Sequence, residues 1–242
     1  MDLFSEEKVN TGRQVELDIA KGLSIIFMIF LHTLMVVKGF NNSLSYDYNF
    51  VFGNVLGRPC AAPVFMFCMG VGIVYSRHSQ WNTMMRRGVI LYLLCLLVNV
   101  FEFFIPNFIC GALLGRWCVF PTDDGLLLFC VDIFAFAGLA FVLMGVLNKF
   151  KLSNKWMIVI AVVMSLIGTF TRGFDFGLPI SNLFFADFIG SAGGFGAFPL
   201  FIWFIFPVAG FVWGQYFIRA KDKKKFFKFW PIYIIVAFVY FM

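Results

Sequence analysis

Apolar positions along this chain run in long unbroken stretches, with neither the alternation of strands nor the one-sided stripe of a soluble helix. Crossing about 30 Å of hydrocarbon takes roughly 17 to 25 helical residues, and seven stretches approach or reach that length. They are 19–37, 59–76, 88–105, 125–147, 156–170, 195–218 and 226–242. Transmembrane β-strands are shorter and alternate, whereas Leu91-Tyr92-Leu93-Leu94-Cys95-Leu96-Leu97 does not. The pattern therefore predicts an all-α, polytopic membrane protein of about seven spanning helices. Ser5, Glu6, Glu7, Glu16 and Asp18 precede the first stretch, in place of a basic leader and cleavage site, so that helix is expected to be retained. With no fixed-period repeat and no Pro/Ser-rich linker, residues 1–242 read as one domain.

Composition strengthens this reading. The 242 residues are 61% hydrophobic, 20% aromatic and 13% charged, too few polar groups to clothe a water-soluble globule. Disordered chains are poorer in apolar residues, and six cysteines are too sparse for a disulfide scaffold. A net charge of +6 would suit nucleic acid, but its placement argues otherwise. With the amino terminus inside, 15 of the 19 basic residues fall on inner segments: Lys8, Arg13, Lys21, Arg77, Arg86, Arg87, Lys149, Lys151, Lys155, Arg219, Lys221, Lys223, Lys224, Lys225 and Lys228. Only Lys38, Arg58, Arg116 and Arg172 fall outside, where Asp47, Asp123, Asp124, Asp175 and Asp187 gather. Positive-inside bias then predicts a cytoplasmic amino terminus, with contact to anionic lipid and no nucleic-acid partner.

Ionisable residues within the spans are the candidate chemistry, because burial of charge in the membrane is costly. Lys21 lies near the inner end of the first helix. His32 follows eleven residues on, about 16 Å farther and only about 20° round the helix. Glu102 lies near the outer end of the third helix and Asp132 about a third of the way inward along the fourth, so His32, Glu102 and Asp132 share a depth. With Arg58 they form an expected polar cluster open to the extracytoplasmic side. Each residue has a plainer reading: His32 as a hydrogen-bond partner between helices, Glu102 as an interfacial anchor, and Asp132 as a salt bridge or helix cap.

Residues 17–32, from Leu17, Asp18, Lys21 and Gly22 to His32, resemble the opening helix of the heparan-α-glucosaminide N-acetyltransferase catalytic-domain family, related to acyltransferase family three. That opening is an Asp, a basic residue and Gly, an apolar helix, then a His; the basic residue, commonly Arg, is Lys21 here. Ala61-Ala62-Pro63 through Gly70, Arg86-Arg87-Gly88, Asp132 through Ala140, and Phe198-Pro199 through Trp203 with Gly210 and Gly214 follow in the family's order, covering roughly residues 13–218.

The resemblance implies transfer of an acyl group, acetyl first, from cytoplasmic acyl-CoA to a hydroxyl or amino group of an extracytoplasmic sugar or glycan. It suggests a bacterial cytoplasmic membrane. Lys21, Arg77, Arg86 and Arg87 suit the phosphates of acetyl-CoA. His32 suits a general base or a transient acyl-imidazole, and Asp132 its orienting carboxylate. Arg58 and Glu102 suit the acceptor. The expected partners are the lipid bilayer, acyl-CoA and a glycan or amino sugar, with a homodimer left open.

Two His and six scattered Cys show no metal-ligand spacing. Gly193-Gly194-Phe195-Gly196 reads as a bend, and Cys110 and Cys118 could pair or stay free. A transporter or solute-binding membrane protein, with His32 and Asp132 as a proton or substrate site, remains the alternative. Family members generally have ten or eleven helices, and the last apolar run ends at Met242, so a chain lacking further helices is expected.

Overall fold

A computed structural model describes residues 3–40, 57–115, 132–192 and 197–228. Its elements are α1 (Val15–Phe40), α2 (Arg58–Cys60), α3 (Ala62–Tyr75), α4 (Trp81–Asn99), a π-helical turn (Val100–Phe104), α5 (Ile105–Leu114), α6 (Ile133–Lys149), α7 (Asn154–Thr171), α8 (Pro179–Ile189), α9 (Leu200–Trp203), α10 (Ile205–Phe217) and α11 (Lys223–Phe227). Among the described residues there is no strand, only an isolated bridge between Phe4 and Ala220. Five helical stretches are long and apolar enough to cross a membrane: Val15–Leu34, Arg58–Tyr75, Trp81–Leu114, Asn154–Thr171 and Leu200–Phe217. Ile133–Lys149 is a shorter apolar helix. The chain is therefore an all-α, polytopic membrane protein. Most of the expected 226–242 span, the start of 125–147, Arg116, Cys118 and the bend at 193–196 lie outside the described residues.

The described chain forms two compact units, Met1–Arg77 with Phe206–Met242, and His78–Ile205. In the first, α3 and α10 cross backbone to backbone. A side chain on Gly70 would strike the Pro207 carbonyl, and one on Gly210 the Phe67 carbonyl. Such close crossings suit a membrane, where helices gain little from excluding water and depend on packing at small residues.

The same unit closes one end by pairing its two distant chain segments. Ser5 N–H donates to the Arg219 carbonyl at 2.8 Å, Val9 and Asn10 N–H to Ile218 at 2.8 and 2.9 Å, and Lys221 N–H to Leu3 at 3.0 Å. The Asn10 amide donates to the Phe217 and Ala220 carbonyls at 3.0 and 2.6 Å. These donors satisfy carbonyls that the end of α10 would otherwise leave bare. Phe217, Ala220 and Phe226 form a small core beneath, with Tyr75, Trp213 and Phe227 packed on it.

The second unit rests on a crossing of α4 and α6. A side chain on Gly88 would come within 2.5 Å of the Gly138 carbonyl, and one on Gly138 within 2.8 Å of the Gly88 carbonyl. At one end of this pair Lys149 Nζ lies 4.9 Å from the Trp81 ring, and Asn148 donates to the Ser79 carbonyl at 2.9 Å. Helix α8 belongs to a short excursion. Pro179 opens it, Gly190 ends it with a positive φ of 71°, and its flanks are clasped by Gly173 N–H to Gly190 at 2.8 Å and Ala192 N–H to Phe174 at 3.0 Å. Eleven residues rise only about 16 Å, too short to cross.

Candidate functional site

In the first unit, α1 is unbroken from Val15 to Phe40, so Lys21 and His32 stand on one helix. Lys21 is half-buried and His32 exposed. Ser24, fully buried, turns its hydroxyl back to the Lys21 carbonyl at 2.8 Å, a local bond that leaves an apolar packing surface. Asp18 is engaged by Arg13 at 2.6 Å, and Glu16 by Lys223 at 3.0 Å. Arg58 opens α2, and Arg77 follows α3; both are exposed.

In the second unit, Arg86 and Arg87 are exposed on α4 immediately before the buried Gly88. Glu102 is exposed on the π-helical turn. Asp132 departs from its expected setting inside a span. It is the N-cap of α6, with non-helical φ −97° and ψ 179°, and its carboxylate accepts from Ile133 N–H at 2.6 Å. The cap reading of Asp132 is thus the observed contact. Hydropathy does not register a cap, which is why the span expected at 125–147 placed Asp132 inside it.

Four polar side chains gather beyond the Gly88–Gly138 crossing. Tyr92 Oη donates to Asp187 Oδ2 at 2.5 Å, while Asp187 Oδ1 is buried without a hydrogen-bond partner among the described residues. Asp187 is 6% exposed. Cys95, buried and free, lies near the backbone N–H groups of Asp132 and Ala135 and within electrostatic reach of the Asp132 and Asp187 carboxylates. Charge counting placed Asp187 among outer-loop acids. The structure carries it on α8, bonded to Tyr92 of the long apolar helix α4. The signal in the sequence was a lone acid in the apolar run Leu183-Phe184-Phe185-Ala186-Asp187-Phe188-Ile189.

The turn before α8 is ordered by its own polar groups. Asp175 Oδ1 accepts from Gly177 N–H at 2.8 Å and the Asn182 amide at 2.7 Å. These donors, the Asn182 amide first, hold the Asp175 carboxyl below the usual carboxylate range. Asn182 Oδ1 in turn accepts from Phe176 N–H at 2.8 Å, and Ser191 Oγ donates to the Asn182 carbonyl. Cys110 is disulfide-bonded.

Neither the curated proteins nor the solved structures hold a match to this chain. Residues 13–242 match the family described as heparan-alpha-glucosaminide N-acetyltransferase, catalytic. That match takes in α1 with Lys21 and His32, both glycine crossings and the Tyr92–Asp187 pair. With its apolar spanning helices, the chain belongs to the heparan-α-glucosaminide N-acetyltransferase catalytic family of membrane acetyltransferases.

Proposed function

We propose that this protein moves an acetyl group from acetyl-CoA on one side of the membrane to a hydroxyl or amino group of a sugar on the other. The observation that carries this reading is the family match over residues 13–242, joined to the Asp18, Lys21, Gly22 and His32 series on one continuous helix. A cation and an imidazole about 16 Å apart on nearly one helix face suit a donor with a phosphate-bearing head and a long thioester arm.

In the proposed step, the acceptor hydroxyl or amine attacks the thioester carbonyl while His32 takes its proton. The C–S bond breaks, and the leaving CoA thiolate receives a proton, so that free thiol and acetylated acceptor result. A two-step course through acetyl-His32 gives the same balance. Lys21, Arg77, Arg86 and Arg87 are assigned to the CoA phosphates, and Arg58 and Glu102 to the acceptor. Asp132, as the resemblance implies, is assigned to orienting His32.

The test is direct. Purified protein in nanodiscs receives radiolabelled acetyl-CoA with glucosamine. The wild type transfers label, and His32→Ala lowers the rate by about 100-fold or more. Absence of hydrolysis, self-acetylation and transfer in the wild type, or an unchanged His32→Ala rate, would sink the proposal.

A further inference from the structure

We infer that Asp187, held by Tyr92, binds the hydrogen-bond-donating hydroxyl or amine of the acyl acceptor through its unpartnered carboxylate oxygen. This rests on the acetyl-transfer reading. The geometry behind it lies wholly within the second unit.

Depth comes first. Tyr92 is eleven residues from Trp81, about 16 Å along α4, and the surface of that helix beyond Gly88 exposes Val89, Ile90, Leu93, Leu94 and Leu97. A carboxyl bonded to Tyr92 therefore sits at the level of hydrocarbon and not at a wet rim. At such a level an acid with one satisfied oxygen and one bare oxygen is costly, and ionisable residues there mark functional sites. Replacement of both partners by apolar residues of similar size would be the stabler solution, so packing does not explain the pair.

Chemistry comes second. Tyr92 occupies Oδ2, leaving Oδ1 with no hydrogen-bond partner among the described residues. A hydroxyl meets that need as a hydrogen-bond donor; an ammonium meets it with charge as well, since a neutralised pair is tolerated in an apolar site better than either ion alone. A phosphate or carboxylate ligand would be repelled. The acid therefore suits the acceptor and not the CoA head.

Position comes third. Asp187 is carried on α8, in an excursion whose bends fall at Gly173, Gly177 and Gly190, all with φ between 71° and 78°, a path that few side chains would permit.

Two measurements on the full chain in nanodiscs test this. The lipophilic reagent dicyclohexylcarbodiimide modifies carboxyl groups in apolar surroundings, and mass spectrometry reads the adduct. Asp187 is expected to be modified, and glucosamine to slow that modification several-fold while N-acetylglucosamine, lacking the amine, protects less. In kinetics, Asp187→Asn, which keeps the volume and an oxygen for Tyr92, is expected to raise KM for glucosamine about tenfold or more with acetyl-CoA Kd unchanged. A merely structural acid would instead alter thermal stability and spare that KM. No modification of Asp187, modification indifferent to glucosamine, or an unchanged KM overturns the inference. A wild type that transfers nothing defeats the acetyl-transfer reading instead, and carbodiimide protection still decides whether Asp187 is a ligand site.

Discussion

In the first unit α3 meets α10 at Gly70 and Gly210, and beyond the crossing the rings of Trp213, Phe217, Phe226 and Phe227 pack together with centroids 4.6 to 6.1 Å apart. In the second, α4 meets α6 at Gly88 and Gly138, and beyond the crossing lie Tyr92, Cys95, Asp132 and Asp187. The packing device is the same in both. What it supports differs: an apolar plug fastened by the amino-terminal segment in one, a buried carboxyl with an unused oxygen in the other. A tight backbone crossing frees a bundle from needing large side chains at its waist, and the space beyond can go either to stability or to chemistry.

Opposite signs of substitution would separate the two ends. Phe217, fully buried in the plug, should cost about 3–5 kcal/mol when changed to Ala, read as a lowered unfolding midpoint in detergent. Asp187→Leu combined with Tyr92→Phe, which strands no hydroxyl, should leave that midpoint level or raise it by a few degrees while transfer falls. Loss of stability from that double change as large as that from Phe217→Ala would make both ends structural and erase the contrast.

A smaller effect sharpens the chemical end. Asp132→Ala should cost about 1 kcal/mol by uncapping α6, and Asp132→Asn should restore the cap. Transfer should stay low in Asp132→Asn, because an amide carries no charge to steady an imidazolium; full activity there would reduce Asp132 to its cap.

The smallest effect is a matter of pH. Because the Asp175 carboxyl is held below its ordinary range, the turn before α8 gains stability above the usual carboxylate value and loses it as pH falls through the lower folded value. Asn182→Ala should move the Asp175 titration upward, followed by carbon NMR of labelled carboxyls. An unmoved titration would show that the Asn182 amide is not its main partner.

Much of the architecture is legible in the sequence because membrane crossing is a matter of run length: 88–105 falls inside the helical stretch Trp81–Leu114, and 59–76 overruns Arg58–Tyr75 by one residue. Boundaries are less legible. Hydropathy carried the fourth span through Asp132, whereas the described helix begins at Ile133 with the Asp132 carboxylate as its N-cap. The Tyr92–Asp187 pair was hidden for another reason: it joins residues 95 apart in sequence, and an acid on an eleven-residue helix looks like a loop acid until its partner is known. The clasp between Asn10 and the end of α10 is still more remote, at 207 and 210 residues. By contrast, Lys21 and His32 could be placed on one face directly, since helical periodicity alone fixes it.

Sidedness tests the central claim most directly. Proteoliposomes would hold glucosamine in the lumen and receive radiolabelled acetyl-CoA outside. Transfer across the membrane predicts labelled N-acetylglucosamine inside, free CoA outside, and no lumenal label with His32→Ala. Label that appears only when acetyl-CoA and glucosamine share one compartment, or none in either arrangement, would contradict it.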